Sequence, residues 1–226
     1  MDTIAVAHRG DPYAAPENTL PALRAALAAG ADAVEFDVRM TRDGVPVLLH
    51  DATLKRIWGH DVPLASLTFV EMERLTGGRV PTLREALNLM STAPPGVRSF
   101  IDLPEVAAAA PTATEVAECG AGDRVYYCGS TSAMLAVKRA DPAAETAIPC
   151  KSWAVYRPPL LAELAPRWLN YRFGLITPDV VRHAHDNGYR VSAWTVDWPR
   201  NMRRLAAMGV DSITTNRVAT LRKVLG

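Results

Sequence analysis

Ala33-Val34-Glu35-Phe36-Asp37-Val38 runs through Arg39-Met40-Thr41-Arg42-Asp43-Gly44 into Val45-Pro46-Val47-Leu48-Leu49-His50. In the first block, apolar and acidic residues alternate with a period of two, which is the side-chain period of a β-strand. Val34, Phe36 and Val38 therefore fall on one face and Glu35 and Asp37 on the other. The seven residues from Arg39 to Val45 are too few for a helix, and Arg42-Asp43-Gly44 has the chemistry of a tight turn. The next run, Val45 to His50, is thus expected to return antiparallel as a hairpin arm, with His50 roughly level with Glu35 and outside the main strand series.

Short β-branched or aromatic runs alternate with Ala/Leu-rich stretches on both sides of this block, which is the pattern of βα units around a parallel sheet. Strands are read near Ile4 to Ala7, Ala33 to Val38, Ser99 to Leu103, Arg124 to Cys128, Glu145 to Pro149, Trp168 to Tyr171, Arg190 to Val196 and Ser212 to Thr215. Helices fit near Leu20 to Ala29, Leu83 to Met90, Pro111 to Cys119, Ser132 to Arg139, Leu160 to Leu164, Asp179 to Asn187, Arg200 to Met208 and Val218 to Val224. Thr177-Pro178-Asp179 supplies a capping hydroxyl, a first-turn proline and an acid at a helix start, and Asn187-Gly188 supplies the stop. Eight such units in 226 residues imply an α/β chain folded as one (β/α)8 TIM barrel over residues 1–226. Asp51 to Val80 is expected to form a short insertion over the barrel mouth, with a single helical turn at Val70 to Leu75.

The 25 basic and 24 acidic side chains nearly cancel, so no overall field draws the chain to nucleic acid or an anionic surface. An anion must be recognised locally. No apolar run approaches the roughly 20 residues that span a bilayer, and Met1 to Val6 leads straight into the first strand without room for a leader. Cys119, Cys128 and Cys150 are odd in number and lack metal-ligand spacing. Reduced thiols and a cytoplasmic location without integral membrane association are expected.

Strand alternation directs Glu35 and Asp37 into the barrel, at the carboxyl end where such folds hold their chemistry. Asp102 ends the strand Phe100-Ile101-Asp102-Leu103 and completes a set of three carboxylates. All-oxygen donors without a thiolate or a His-x-His pair suit one hard divalent cation, Mg2+ or Ca2+. The competing reading is a buried ion-pair cluster of Glu35 and Asp37 with Arg9 or Arg39. His8 and His50 end apolar runs beside these acids, and imidazoles suit acid and base roles near neutral pH. His60 in a loop and His183 and His185 on a helix are accounted for by solvent-facing positions.

The ordered set His8-Arg9-Gly10, Pro16-Glu17-Asn18-Thr19, Gly30-Ala31-Asp32, Glu35-x-Asp37-Val38, Thr41-x-Asp43-Gly44, Val47, His50-Asp51, Pro81-Thr82-Leu83 and Trp194-Thr195-Val196 resembles the glycerophosphodiester phosphodiesterase family over essentially the whole chain. The resemblance implies a metal-dependent hydrolase that splits a glycerophosphodiester into an alcohol and sn-glycerol 3-phosphate. It implies His8 and His50 as the acid/base pair, Arg9 as a phosphate clamp, and Glu35, Asp37 and Asp102 as metal ligands. It also implies that the glycerol 2-hydroxyl attacks phosphorus before water opens a cyclic phosphate. Trp194 matches the family's late tryptophan, whose indole is expected to wall the substrate pocket.

Two departures stand out. The family's Glu-x-Lys at the third barrel strand is Asp102-Leu103-Pro104 here, so Lys151 and Arg172 are candidate substitutes for the missing cation in substrate binding. Thr215-Asn216 replaces the family's frequent Thr-Asp. The short insertion is expected to leave the pocket open to varied head groups or a lysolipid. Alternatives at this point are an impaired homologue that only binds metal and phosphate, and a phospholipase-like enzyme that releases a cyclic phosphate.

Overall fold

The computed structural model describes residues 3–151 and 158–226. The strands are β1 (Ile4–His8), β2 (Ala33–Met40), β3 (Pro46–Leu48), β4 (Arg98–Leu103), β5 (Val125–Gly129), β6 (Thr146–Cys150), β7 (Trp168–Arg172), β8 (Arg190–Trp194) and β9 (Ser212–Thr215). All of them except β3 run parallel, and the pairing of β1 with both β2 and β9 closes the sheet into a (β/α)8 TIM barrel. β3 pairs antiparallel with the outer end of β2, Val38 against Leu48, so the hairpin arm forms as its turn chemistry requires. The Leu49 N–H extends that pairing to the Asp37 carbonyl, which brings His50 alongside the acids.

The helices are α1 (Leu20–Ala28), α2 (Lys55–Trp58), α3 (Phe69–Thr76), α4 (Leu83–Ser91), α5 (Ala109–Glu118), α6 (Thr131–Ala140), α7 (Pro158–Leu164), α8 (Pro178–Asp186), α9 (Pro199–Ala207) and α10 (Val218–Leu225). Among the described residues, no helix is long and apolar enough to cross a membrane.

Strand alternation sorts the core into two parts. Val34, Phe36, Val38, Ile101, Leu103, Val191 and Ile213 face outward and pack in one cluster with helix residues such as Leu23, Leu87, Met134 and Leu205. The inward set Val6, Ala33, Phe100, Tyr126, Cys128, Ala147 and Trp168 fills the barrel interior. Phe100 stacks on Tyr126 at 4.3 Å between ring centroids, and Tyr126 on Trp168 at 5.8 Å. This aromatic plug gives the polar residues at the carboxyl ends of the strands a rigid floor.

The segment from Asp51 to Val80 has more structure than a single helical turn. It holds α2, a 3-10 turn at Leu64–Ser66 and the two-turn helix α3, around a small core of Leu54, Trp58, Leu64, Met72 and Val80 that continues into Val47 and Leu49 of the hairpin. The start of α3 was legible: Thr68 and Glu71 form a reciprocal capping box, and Gly77 closes the helix in the left-handed conformation. His60 also differs from expectation, because its Nε2 meets the Leu75 carbonyl at 3.0 Å and ties the insertion together. His183 and His185 are exposed on α8 as expected, with His185 beside Asp211.

The loop after β1 is fixed against α1. The Asp11 N–H donates to the Ala22 carbonyl, and Gly10 sits at φ +84° where an added Cβ would lie 2.6 Å from the Ala22 backbone. Neither the torsion nor the space admits a side chain. Gly10→Ala is expected to destabilise the fold by about 1–3 kcal/mol, a loss that chemical denaturation monitored by circular dichroism would measure.

Candidate active site

Parallel register sets the site. His8 lies level with Glu35 across β1 and β2, and Asp37 lies level with Asp102 across β2 and β4. Each of these residues is on the inward parity of its strand. One ligand oxygen from each of Glu35, Asp37 and Asp102 lies within 4.8 Å of the other two. The acids border a cavity of about 410 Å³ that His8, Arg9, His50, Lys151 and Trp194 also line.

The three carboxylates differ in their support. Asp37, 1% exposed, accepts a hydrogen bond from the Asn18 amide at 2.8 Å and faces Arg9 Nε at 3.1 Å. The Asn18 side-chain oxygen in turn receives the Asp37 N–H, and Asn18 adopts φ +58°. Glu35 accepts the Arg9 backbone N–H at 2.8 Å. Burial and the neighbouring Asp37 push the Glu35 carboxyl well above the usual range, against the pull of Arg9. Burial and Asp37 likewise raise Asp102 to about 7, with Lys151 opposing. The adjacent side chains are therefore too few to let all three carboxylates ionise together. The ion-pair reading applies to Asp37 only, and Arg39 turns away to Glu105 and the His50 carbonyl.

The two imidazoles are held differently. His8 Nδ1 meets Asn216 Oδ1 at 2.8 Å, and the Asn216 amide nitrogen donates to Asp197 Oδ2 at 2.8 Å. Asp197 takes two further bonds, from the Asn216 N–H and the Thr215 hydroxyl. A carboxylate accepts only, so it orients the Asn216 amide with its oxygen toward His8, which in turn requires the proton on His8 Nδ1. His8 Nε2 is left as an acceptor. Burial and Arg9 lower the His8 pKa, which keeps the ring neutral near pH 7. His50 Nδ1 instead meets the Asp51 carboxylate at 2.7 Å.

Arg9 is less open than a free phosphate clamp. Its Nη1 donates to Glu17 at 2.8 Å, Nε faces Asp37, and its backbone sits at φ +58°. Despite burial, hydrogen bonds from Arg56 and Arg9 bring the Glu17 pKa down to about 2. Trp194 reaches the cavity wall, but its indole N–H is used by the Asn170 carbonyl at 3.0 Å, so the ring face is what it offers. Of the two candidate cations, Lys151 lines the cavity. Arg172 is exposed at the end of β7 and is not among the lining residues. The cavity floor adds Cys128 and Asn170, whose amide donates toward the Cys128 sulfur at 3.4 Å, and burial raises the Cys128 thiol.

Sequence reasoning assigned no role to Glu17, Asn18, Asn216, Asp197 or Arg56. Glu17 and Asn18 stood within a quoted motif, and Asn216 was visible as a departure from it. Nothing local marks Asp197, whose partners lie on another loop, and Arg56 joins the nearby Asp51 to the distant Glu17. Asn216→Ala is expected to remove the preference for the Nδ1–H form of His8, which long-range 15N–1H NMR of the imidazole would report as a mixture of tautomers.

The sequence profile of the Glycerophosphoryl diester phosphodiesterase family matches residues 8–220. A Mycobacterium tuberculosis protein described as a probable glycerophosphodiester phosphodiesterase is 36% identical over 98% of this chain and 90% of its own length. The crystal structure of a glycerophosphodiester phosphodiesterase from Parabacteroides distasonis superposes with a TM-score of 0.84 at 28% identity, covering 99% of this chain and 97% of that one. An Oleispira antarctica phosphodiesterase, solved in complex with the product sn-glycerol-3-phosphate, has the same fold at a TM-score of 0.88 and 22% identity, with 99% and 97% coverage.

Proposed function

The chain belongs to the glycerophosphoryl diester phosphodiesterase family, and on that premise we propose that it hydrolyses glycerophosphodiesters to an alcohol and sn-glycerol 3-phosphate, using one divalent cation and the pair His8 and His50. The observation that carries this reading is the convergence of Glu35, Asp37 and Asp102 in a cavity that both histidines line. The donor set fits a hard cation, because it consists of carboxylate oxygens, those of Glu35 and Asp37 from buried residues and those of Asp102 half-buried, whose mutual repulsion is only partly offset by Arg9 and Lys151. A bound Mg2+ or Ca2+ would supply charge neutralisation at the phosphoryl oxygens.

The hydrogen bonds support an unequal division of labour. His8, neutral and with Nε2 as an acceptor, suits removal of the proton from the glycerol 2-hydroxyl, whose oxygen attacks phosphorus. His50, whose Nδ1 is held by the Asp51 carboxylate, suits donation of a proton to the leaving alcohol as the P–O electron pair moves to that oxygen. Water then attacks phosphorus, passing a proton to His50 as the bond to the 2-oxygen breaks and His8 returns its proton to that oxygen. Arg9 positions Glu35 and Asp37 and brings positive charge to the phosphate side. Lys151 takes the place of the cation missing at Pro104, which supports turnover over mere binding, and Trp194 walls the pocket with its ring face. We read the substrates as small diesters or a lysolipid head group, and the setting as cytoplasmic.

The decisive assay is release of glycerol 3-phosphate from glycerophosphocholine with Mg2+ or Ca2+. His8→Ala and His50→Ala should each reduce kcat by about 10²–10⁴-fold. Inactivity of the wild-type protein on several diesters with intact metal binding would favour the binding-only reading, and a stable cyclic product in phosphorus NMR would favour the phospholipase-like one.

Metal binding can be read without turnover. At free cation about 100 times its Kd, binding should add about 2.7 kcal/mol, or about 5–10 °C in Tm for a chain of this size. Asp102→Asn should raise the Tm of the metal-free protein by relieving charge repulsion and should abolish the cation-dependent increase. Differential scanning fluorimetry with EDTA and with added cation checks both.

A further inference from the structure

Arg56 stands on α2, in the segment after the second histidine, and its guanidinium is divided between two carboxylates. Nε donates to Asp51 Oδ2 at 2.6 Å, while Nη1 and Nη2 donate to the two Glu17 oxygens at 2.9 and 2.7 Å. The other Asp51 oxygen meets His50 Nδ1 at 2.7 Å. On the far side, Glu17 accepts from Arg9, which faces the buried Asp37. Charges of alternating sign thus run Asp37, Arg9, Glu17, Arg56 and Asp51, from the acid cluster to the partner of the second imidazole. We propose that Arg56 is a positioning residue for His50: its fork fixes the Asp51 carboxylate, and thereby aims His50 Nε2 at the leaving-group oxygen.

The geometry suits this role better than a role in stability. The Arg56 side chain is 48% exposed, and ion pairs at that exposure contribute little to folding. Its backbone, by contrast, is anchored. Leu54 and Trp58, on either side of it, are buried in the insertion core, and the Arg79 guanidinium covers the Trp58 ring at 4.6 Å. A planar fork that engages two carboxylates in fixed directions restricts orientation in a way that a single ammonium does not. Through Arg56 and Asp51 the insertion contributes to proton delivery at His50. Without the fork, Asp51 can rotate, and the imidazole loses the partner that fixes its ring plane.

This inference rests on the reading of His50 as the acid that protonates the departing alcohol. Its test compares two full-length substrates, glycerophosphocholine, whose alkoxide needs a proton to leave, and glycerophospho-4-nitrophenol, whose phenolate leaves without one. Arg56→Gln should lower kcat/KM for release of choline roughly 10- to 100-fold. For release of 4-nitrophenolate the loss in kcat/KM should stay below about threefold, because departure of that group gains little from general acid catalysis. Arg56→Lys should recover part of the difference, since one ammonium can meet Asp51 without holding Glu17 in the same geometry. Equal losses on both substrates, or no loss on the choline diester, would overturn the proposal. His50→Gln separates the two levels of the argument. If it selectively impairs the choline diester and Arg56→Gln does not, the positioning role alone fails. If His50→Gln affects both diesters equally, the acid role of His50 fails and the inference falls with it.

Discussion

Three carboxylates are held together in a place where they repel one another. Glu35, Asp37 and Asp102 meet because parallel pairing puts β2 and β4 in register and because every second residue of each strand points into the barrel. Burial removes the water that would screen them. The fold tolerates this arrangement through the surrounding framework: an outer core of aliphatic side chains, an aromatic floor and a closed hydrogen-bonded sheet, none of which depends on the acids. A stable scaffold thus holds a locally unfavourable cluster of acids, and that cluster is the basis of the cation site proposed above.

The polar groups around the acids form a set of mutually orienting hydrogen bonds. Asn18 grips Asp37 by both main chain and side chain, Arg9 grips Glu35 through its N–H and Asp37 through its guanidinium, and both residues adopt left-handed torsions to do so. Such torsions cost energy in a residue other than glycine, and here they recur where two loop residues must face the same carboxylate. Beyond them the site divides. His8 is tied through a neutral amide to Asp197, and His50 is tied directly to a carboxylate that Arg56 secures. The same imidazole group is thereby given two electrostatic settings, the basis of the base and acid roles proposed above.

Much of this was legible before any coordinates. The two-residue alternation in Val34 to Val38 placed both acids on one face, the missing room for a helix after Arg39 required a hairpin, and the repeated change from strand to helix pattern required a closed barrel. The length of the insertion suggests little more than a loop, whereas its capping chemistry marks a helix. Thr68 and Glu71 carried the signal for α3, and the small core around Trp58 made a four-residue helix, α2, worth forming. The substitution of Asn216 for an acid looked like a lost charge. In the fold, the acid stands one residue further out, at Asp197, with Asn216 as the intermediary.

From the sequence alone came the periodicities, the turn chemistry and the order of chemically distinctive residues, because these depend on neighbours along the chain. That was sufficient for the barrel, the hairpin, the three acids and the two histidines. Only the tertiary structure decided that Lys151 lines the cavity while Arg172 stays outside, that the Trp194 indole N–H is spent on a backbone carbonyl, and that Arg56 reaches back across the mouth to Glu17. These depend on how loops from separate strands converge at one end of a closed sheet. Distance along the chain carries no record of that convergence, whereas the register of the barrel determines it.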